Sequence, residues 1–134
     1  MHMLRARLLL TPVLLVSLAK AAGSADLMLL NVSGATLDQF YISPCGTRDW
    51  GPNQLAGVRL WSSKSFIVSD IVPGCYDLKL IIPPWNECMV SGVALRRDML
   101  WNITWSTVEL SNYGDCSTAP HIAPIGRRPV LEGQ

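Results

Sequence analysis

The chain has 134 residues, of which 49% are hydrophobic and 16% are charged, with a formal net charge of +1. This length suits one domain with a modest hydrophobic core. The balanced charge and the lack of a basic block remove the electrostatic basis for nucleic-acid binding, so we predict no nucleic-acid partner.

The first 25 residues have the three-part build of a secretory signal peptide. Arg5 and Arg7 precede an apolar run from Leu8 to Leu18, and small residues follow up to Ala25. A membrane-spanning helix needs about 20 apolar residues, so the shorter run predicts a cleaved leader and no stable membrane anchor. We place the cut after Ala25, with Ala19-Lys20-Ala21 as a second small-residue site. The mature protein is then periplasmic or secreted.

Removal of this leader changes the charge of the protein. The leader holds three of the 11 basic residues and none of the ten acidic ones, which leaves a mature net charge of −2.

We predict a disulfide-stabilised β-sandwich domain over residues 26–116. Residues 117–134 contain Pro and Gly without periodicity and are predicted to form a flexible tail.

The mature chain consists of short apolar stretches separated by turn residues, which is typical of strands. Alternation is clearest in residues 75–82 and 100–108, and no segment has a long helical period. We predict an all-β fold, a small antiparallel β-sandwich of about six or seven strands. The strand candidates are residues 27–32, 37–43, 58–61, 65–69, 75–82, 88–95 and 100–108.

All four cysteines, Cys45, Cys75, Cys88 and Cys116, belong to the mature chain. An even count in a short exported chain predicts two disulfides, and the absence of a C-x-x-C pair argues against zinc. Cys75 and Cys88 lie at different heights of a predicted hairpin, so pairing them would break it. Of the three connectivities, we therefore prefer Cys45 with Cys75 and Cys88 with Cys116.

The polar residues form no recognisable catalytic motif. His121, the one mature histidine, lies in the predicted tail, where it cannot be positioned for a catalytic triad. The carboxylates are scattered, and no metal-ligand or phosphate-loop spacing occurs. We predict no enzyme activity, no metal and no cofactor. An enzyme would need distant carboxylates to converge, with Asp49 and Asp77 as the candidates.

Five tryptophans are the remaining candidates for a contact surface. Trp101 and Trp105 alternate with polar residues, which predicts that both belong to the core. Trp50 is expected to plug its loop inward together with Leu55, and it is also a possible surface contact. Trp85 follows two prolines at a predicted turn, where burial is difficult, and is the preferred surface contact.

Several motifs occur in an order that resembles a family of small exported bacterial β-domain proteins. They are SPCGTRDWGPNQLAG, PGCYDLKL, NECMV and WNITWSTVEL, followed by a late cysteine. The resemblance spans about residues 27–116 and implies export and a β fold. It implies no activity, because the family is largely uncharacterised. Its late cysteine pair corresponds to Cys88 and Cys116. Where relatives often have an acidic Asp-Gly turn, this chain has Pro83-Pro84-Trp85-Asn86, so no ion-binding role transfers.

We expect a non-enzymatic exported domain that binds a protein or a glycan through an aromatic patch around Trp85 and the 46–57 loop. A structural or accessory module without its own ligand is the alternative.

Two N-x-[ST] sequons occur, at Asn31 and Asn102. Both lie in predicted strands, so we interpret them as incidental matches to the glycosylation motif.

Overall fold

The computed structural model of the protein describes residues 23–116 and 121–126, and within them no helix is long and apolar enough to cross a membrane. The elements are β1 (Ala25–Asn31), β2 (Gln39–Pro44), β3 (Ser65–Ile71), β4 (Gly74–Ile82), β5 (Asn86–Leu95), β6 (Met99–Ile103), α1 (Trp105–Ser111) and β7 (Ile122–Pro124).

The strands form two sheets that enclose one apolar core, which confirms a small all-β fold. The first sheet has the order β3-β1-β6-β7, and the second has the order β2-β4-β5. Trp101 in β6 and Phe40 in β2 are both fully buried and meet edge to face across the core, with ring centroids 6.3 Å apart. Their contact joins the two sheets, and it confirms the core prediction for Trp101.

The prediction that all strands are antiparallel is wrong for one pair, because β1 and β6 are parallel. After β5 the chain turns back to the first sheet, and β6 begins there beside the first residues of β1. Asp98, just before β6, accepts a hydrogen bond from the Asp26 N–H at 2.9 Å. The two strands therefore start side by side and run in the same direction.

Each sheet contains a β-bulge that is held by an aspartate on the opposite strand. In the first sheet, Asp26 lies opposite two residues of β3 and accepts the N–H of Asp70 at 3.1 Å. In the second sheet, Asp77 lies opposite two residues of β5 and accepts the N–H of Gly92 at 3.0 Å. Asp70 and Gly92 both have left-handed backbones, with φ of 58° and 71°. The carboxylates thus stabilise the local kinks that a bulge imposes.

Two strand predictions are wrong in extent. Residues 58–61 form no strand, and only Leu60 makes an isolated bridge, to Leu37. The strand predicted over 100–108 ends at Ile103, because the chain turns into α1. There Thr107 and Ser111, four residues apart, face inward, while Trp105 is exposed. The core prediction for Trp105 is therefore wrong.

Part of the predicted tail is ordered. Residues 122–124 form β7, which pairs antiparallel with β6 and extends the first sheet. The flexible-tail prediction is wrong for this segment, because main-chain hydrogen bonds along β6 fix it without needing an apolar pattern. The rest of the tail, 117–120 and 127–134, and residues 1–22 of the leader lie outside the described residues.

Both predicted disulfides are present. Cys45 and Cys75 join the end of β2 to the start of β4, with Cα atoms 5.4 Å apart. Cys88 and Cys116 join β5 to the segment after α1, with Cα atoms 5.3 Å apart. The first bridge lies at the surface, and the second is buried in the core.

The difference in burial predicts unequal contributions of the two bridges to stability. They close loops of similar length, with sequence separations of 30 and 28 residues, so their effects on the unfolded chain are similar, about 2–4 kcal/mol each. Replacing Cys88 and Cys116 by Ala also leaves a cavity, which adds about 1–2 kcal/mol. Urea unfolding of this double variant, with the Cys45→Ala/Cys75→Ala variant as control, should show the larger loss for the buried pair. Equal losses would contradict the placement of this bridge in the core.

Candidate aromatic contact surface

One end of the sandwich collects elements from both sheets. β1 and β6 finish there, β2 begins there, and the β4–β5 hairpin turns there. A buried asparagine, Asn31, ties these elements together. Its amide nitrogen donates to the carbonyls of Ala35 at 2.7 Å and Leu60 at 2.9 Å, and its oxygen accepts from the Ser33 hydroxyl at 2.7 Å. Leu60 also exchanges two main-chain hydrogen bonds with Leu37, just before β2.

Helix α1 crosses this end from the first sheet to the second. It begins immediately after β6, where the Thr104 N–H donates to the Thr107 hydroxyl at 3.3 Å. At the other end of the helix, the Asn86 amide donates to the Asn112 side-chain oxygen at 2.8 Å. The Cys88–Cys116 bridge then returns the chain to β5. The helix is thus fixed to both sheets and closes the sandwich.

Four large aromatic side chains point into solvent from this end. Trp85 is 77% exposed and Tyr113 is 83% exposed, and they adjoin the two asparagines of the Asn86–Asn112 hydrogen bond. Trp61 and Trp105 are 60% and 59% exposed. Val32 is also exposed and lies at the end of β6, since its N–H donates to the Ile103 carbonyl. We call this surface the aromatic end; its members are Val32, Trp61, Trp85, Trp105 and Tyr113.

Trp50 does not join the aromatic end. It lies over the outer face of the second sheet, where the Lys79 ammonium is 4.5 Å from the Trp50 ring centroid and 5.1 Å from that of Tyr41. Two rings thus stabilise one cation and hold the loop to the sheet. Leu55 of the same loop is buried, as predicted, whereas Trp50 is half-buried. The expected patch uniting Trp85 with the 46–57 loop is therefore two separate features.

The two carboxylates considered for an enzyme differ in their surroundings. Asp77 is buried, and its oxygens accept the N–H groups of Gly46 and Gly92, both at 3.0 Å. Asp49 is exposed on the loop. Both oxygens of Asp77 are thus engaged by main-chain donors, which gives this residue a structural task. Among residues 23–116 and 121–126, no group of three or more His, Cys, Asp or Glu is arranged to hold a metal ion.

His121 is exposed at the start of the β7 segment, where its carbonyl accepts the N–H of Asn102 at 2.9 Å. Its contribution to the sheet is made by the main chain. On the outer side of α1, a shallow open depression beside the aromatic end is lined by Ser106, Glu109, Leu110, Asn112 and Tyr113.

Of the aromatic end, the sequence analysis identified Trp85 alone. Trp61, Trp105 and Tyr113 were missed, because they come together only when three loops and a helix meet. One signal was readable in advance: Thr107 and Ser111 are small residues four positions apart, a helical spacing that places Trp105 off the buried face.

The two hydrogen bonds of Asp77 predict a clear loss of stability on Asp77→Asn. An amide offers one acceptor oxygen and turns an N–H group toward the second donor, so we expect a loss of about 1–3 kcal/mol. The same change at exposed Asp49 is the control and should stay within about 0.5 kcal/mol. Urea unfolding followed by circular dichroism measures both. If Asp77→Asn left the free energy of unfolding unchanged, the carboxylate would not be what holds the bulge.

The exposures of the tryptophans predict their accessibility to acrylamide. Replacing Trp85 by Phe should remove strongly quenched emission, because the indole is in solvent. Replacing buried Trp101 by Phe should instead remove protected, blue-shifted emission. Steady-state quenching, with folding verified by circular dichroism, tests this pair. Protected emission from Trp85 would mean that another segment covers the aromatic end.

No family model matches this chain, and no curated protein matches it. One solved structure is similar to it, an NMR structure of a protein from Eubacterium rectale. The two share 11% sequence identity and a TM-score of 0.43, over 64% of this chain and 84% of the other.

Proposed function

We propose that this protein is an exported, non-enzymatic binding domain that contacts a protein partner through the aromatic end. The observation that carries the proposal is the gathering of Trp61, Trp85, Trp105 and Tyr113 at one end of the sandwich, each more than half exposed. Tryptophan and tyrosine are enriched among the residues that dominate binding energy in protein interfaces, and several large exposed apolar side chains at one end of a domain are typical of an interaction site.

Export to the periplasm or the medium is part of the same proposal. The leader-like first 25 residues support it, and so do the two disulfides, which persist in oxidising compartments. The resemblance to small exported bacterial proteins agrees with this location.

A protein partner is favoured over a glycan by the extent of the surface. Its four rings come from the loop before β3, the β4–β5 turn and both ends of α1. Exposed Ser106 and Glu109 lie beside Tyr113, and the amides of Asn86 and Asn112 bond to each other. Large aromatic side chains bordered by polar ones resemble a protein interface, which has an aromatic-rich centre and a polar rim.

The experiment uses the mature protein as bait against the envelope fraction and medium of the organism that makes it. Captured proteins are identified by mass spectrometry, purified and titrated by calorimetry against each variant. Trp85→Ala and Tyr113→Ala should each weaken binding about tenfold or more, because each removes a large anchor from the contact. Val72→Ala is the matched control, since Val72 is 73% exposed at the turn between β3 and β4, away from the aromatic end.

The outcomes separate the candidates. A captured protein that loses affinity only with the two aromatic variants supports the proposal. Equal loss with Val72→Ala means nonspecific adsorption and contradicts it. Binding on a glycan array that depends on Trp85 replaces the protein partner by a glycan. Specific binding in neither assay favours a structural or accessory module without its own ligand.

A further inference from the structure

The residues just before Asp26 belong to the folded domain. Ala25 is the first residue of β1, pairs with Ile71 of β3 and is only 1% exposed. The Ser24 hydroxyl lies 3.4 Å from a carboxylate oxygen of Asp70, to which it donates. Ala25 therefore contributes a main-chain pair and a buried methyl group to the first sheet.

The pair between Ala25 and Ile71 also closes the bulge of this sheet. On one side of the bulge, Leu27 pairs with Val68, and on the other side Ala25 pairs with Ile71. Between these pairs lies Asp70, whose φ of 58° is uncommon for a residue with a side chain. Such a conformation persists when the structure on both sides fixes it.

A cut after Ala25 would remove one of these two sides. The ladder would end at Leu27, and Asp70 would be held only by the pair on that side and by the Asp26 carboxylate. The hydrogen bond from the Asp26 nitrogen to Asp98 does not distinguish the possible cuts, because a terminal ammonium at Asp26 would donate equally well. The buried Ala25 and its pair with Ile71 do distinguish them.

We infer that the leader is cut after Ala21, so that the mature chain begins at Ala22 and keeps Ala25 in the sheet and Ser24 beside Asp70. The triplet Ala19-Lys20-Ala21 has alanine at its first and third positions, the pattern that a signal peptidase recognises. The inference rests on the export part of the proposed function and is independent of the aromatic end.

The test is export of the full chain followed by intact-mass and amino-terminal peptide analysis of the mature protein. A chain that begins at Ala22 supports the inference. A chain that begins at any later residue, Asp26 included, overturns it. An exported but uncut chain overturns both the site and the leader, while binding through the aromatic end would remain measurable on that protein.

Two matched substitutions test the position of the cut. The readout is the mass of the exported product, so the test does not require the variant to fold. Ala21→Asp places a charged residue in the first triplet and should reduce mature product at least tenfold. Gly23→Asp places the same residue in the Gly23-Ser24-Ala25 triplet and should leave the cut unchanged. At Gly23 an added Cβ meets no atom within 4 Å, and the φ of 82° adds local strain that does not affect a readout taken from the mass of the product. The reverse result would assign the cut to Ala25.

Discussion

The disulfide between Cys88 and Cys116 is the constraint on which the aromatic end of this protein depends. It is buried and ties the segment after α1 to β5, so a helix of only seven residues can cross from one sheet to the other. An isolated helix of this length would not form in water. Because the helix is held at both ends, the main chain at Trp105 and Tyr113 is fixed, and Asn112 contacts Asn86 in the hairpin that carries Trp85. The main chain of the aromatic end is therefore preorganised, and preorganisation would lower the entropic cost of the binding that we propose.

Much of the fold could be predicted from local patterns. The alternation in β4, the proline turn before β5 and the even cysteine count identified two antiparallel strands and both disulfides, because each depends on neighbouring residues or on simple strand geometry. The same reasoning failed at Trp105. Trp105 continues the every-second-residue pattern of Trp101 and Ile103, which is typical of a strand, yet the chain turns into a helix at this position. Period-two alternation over so few residues does not exclude a helical turn.

The features that sequence reasoning missed depend on distant pairings. The parallel contact of β1 with β6 and the addition of β7 arise from the path of the chain between sheets, and neither leaves a local signal. The bulges opposite Asp26 and Asp77 were equally unreadable, since an aspartate within a strand is normally taken as a solvent-facing residue. The aromatic end combines three loops with a helix, so a residue-by-residue assessment could identify only Trp85, the member placed at an obvious turn.

The environment of Asn31 has a consequence for producing this protein. The side chain is the asparagine of the sequon Asn31-Val32-Ser33, and its amide nitrogen makes two hydrogen bonds inside the sandwich. An N-linked glycan replaces a hydrogen of that amide and has no space at a fully buried position. In a eukaryotic secretory pathway, a chain glycosylated there before folding could not assemble this end of the sandwich. Bacterial export avoids that competition between glycan transfer and folding.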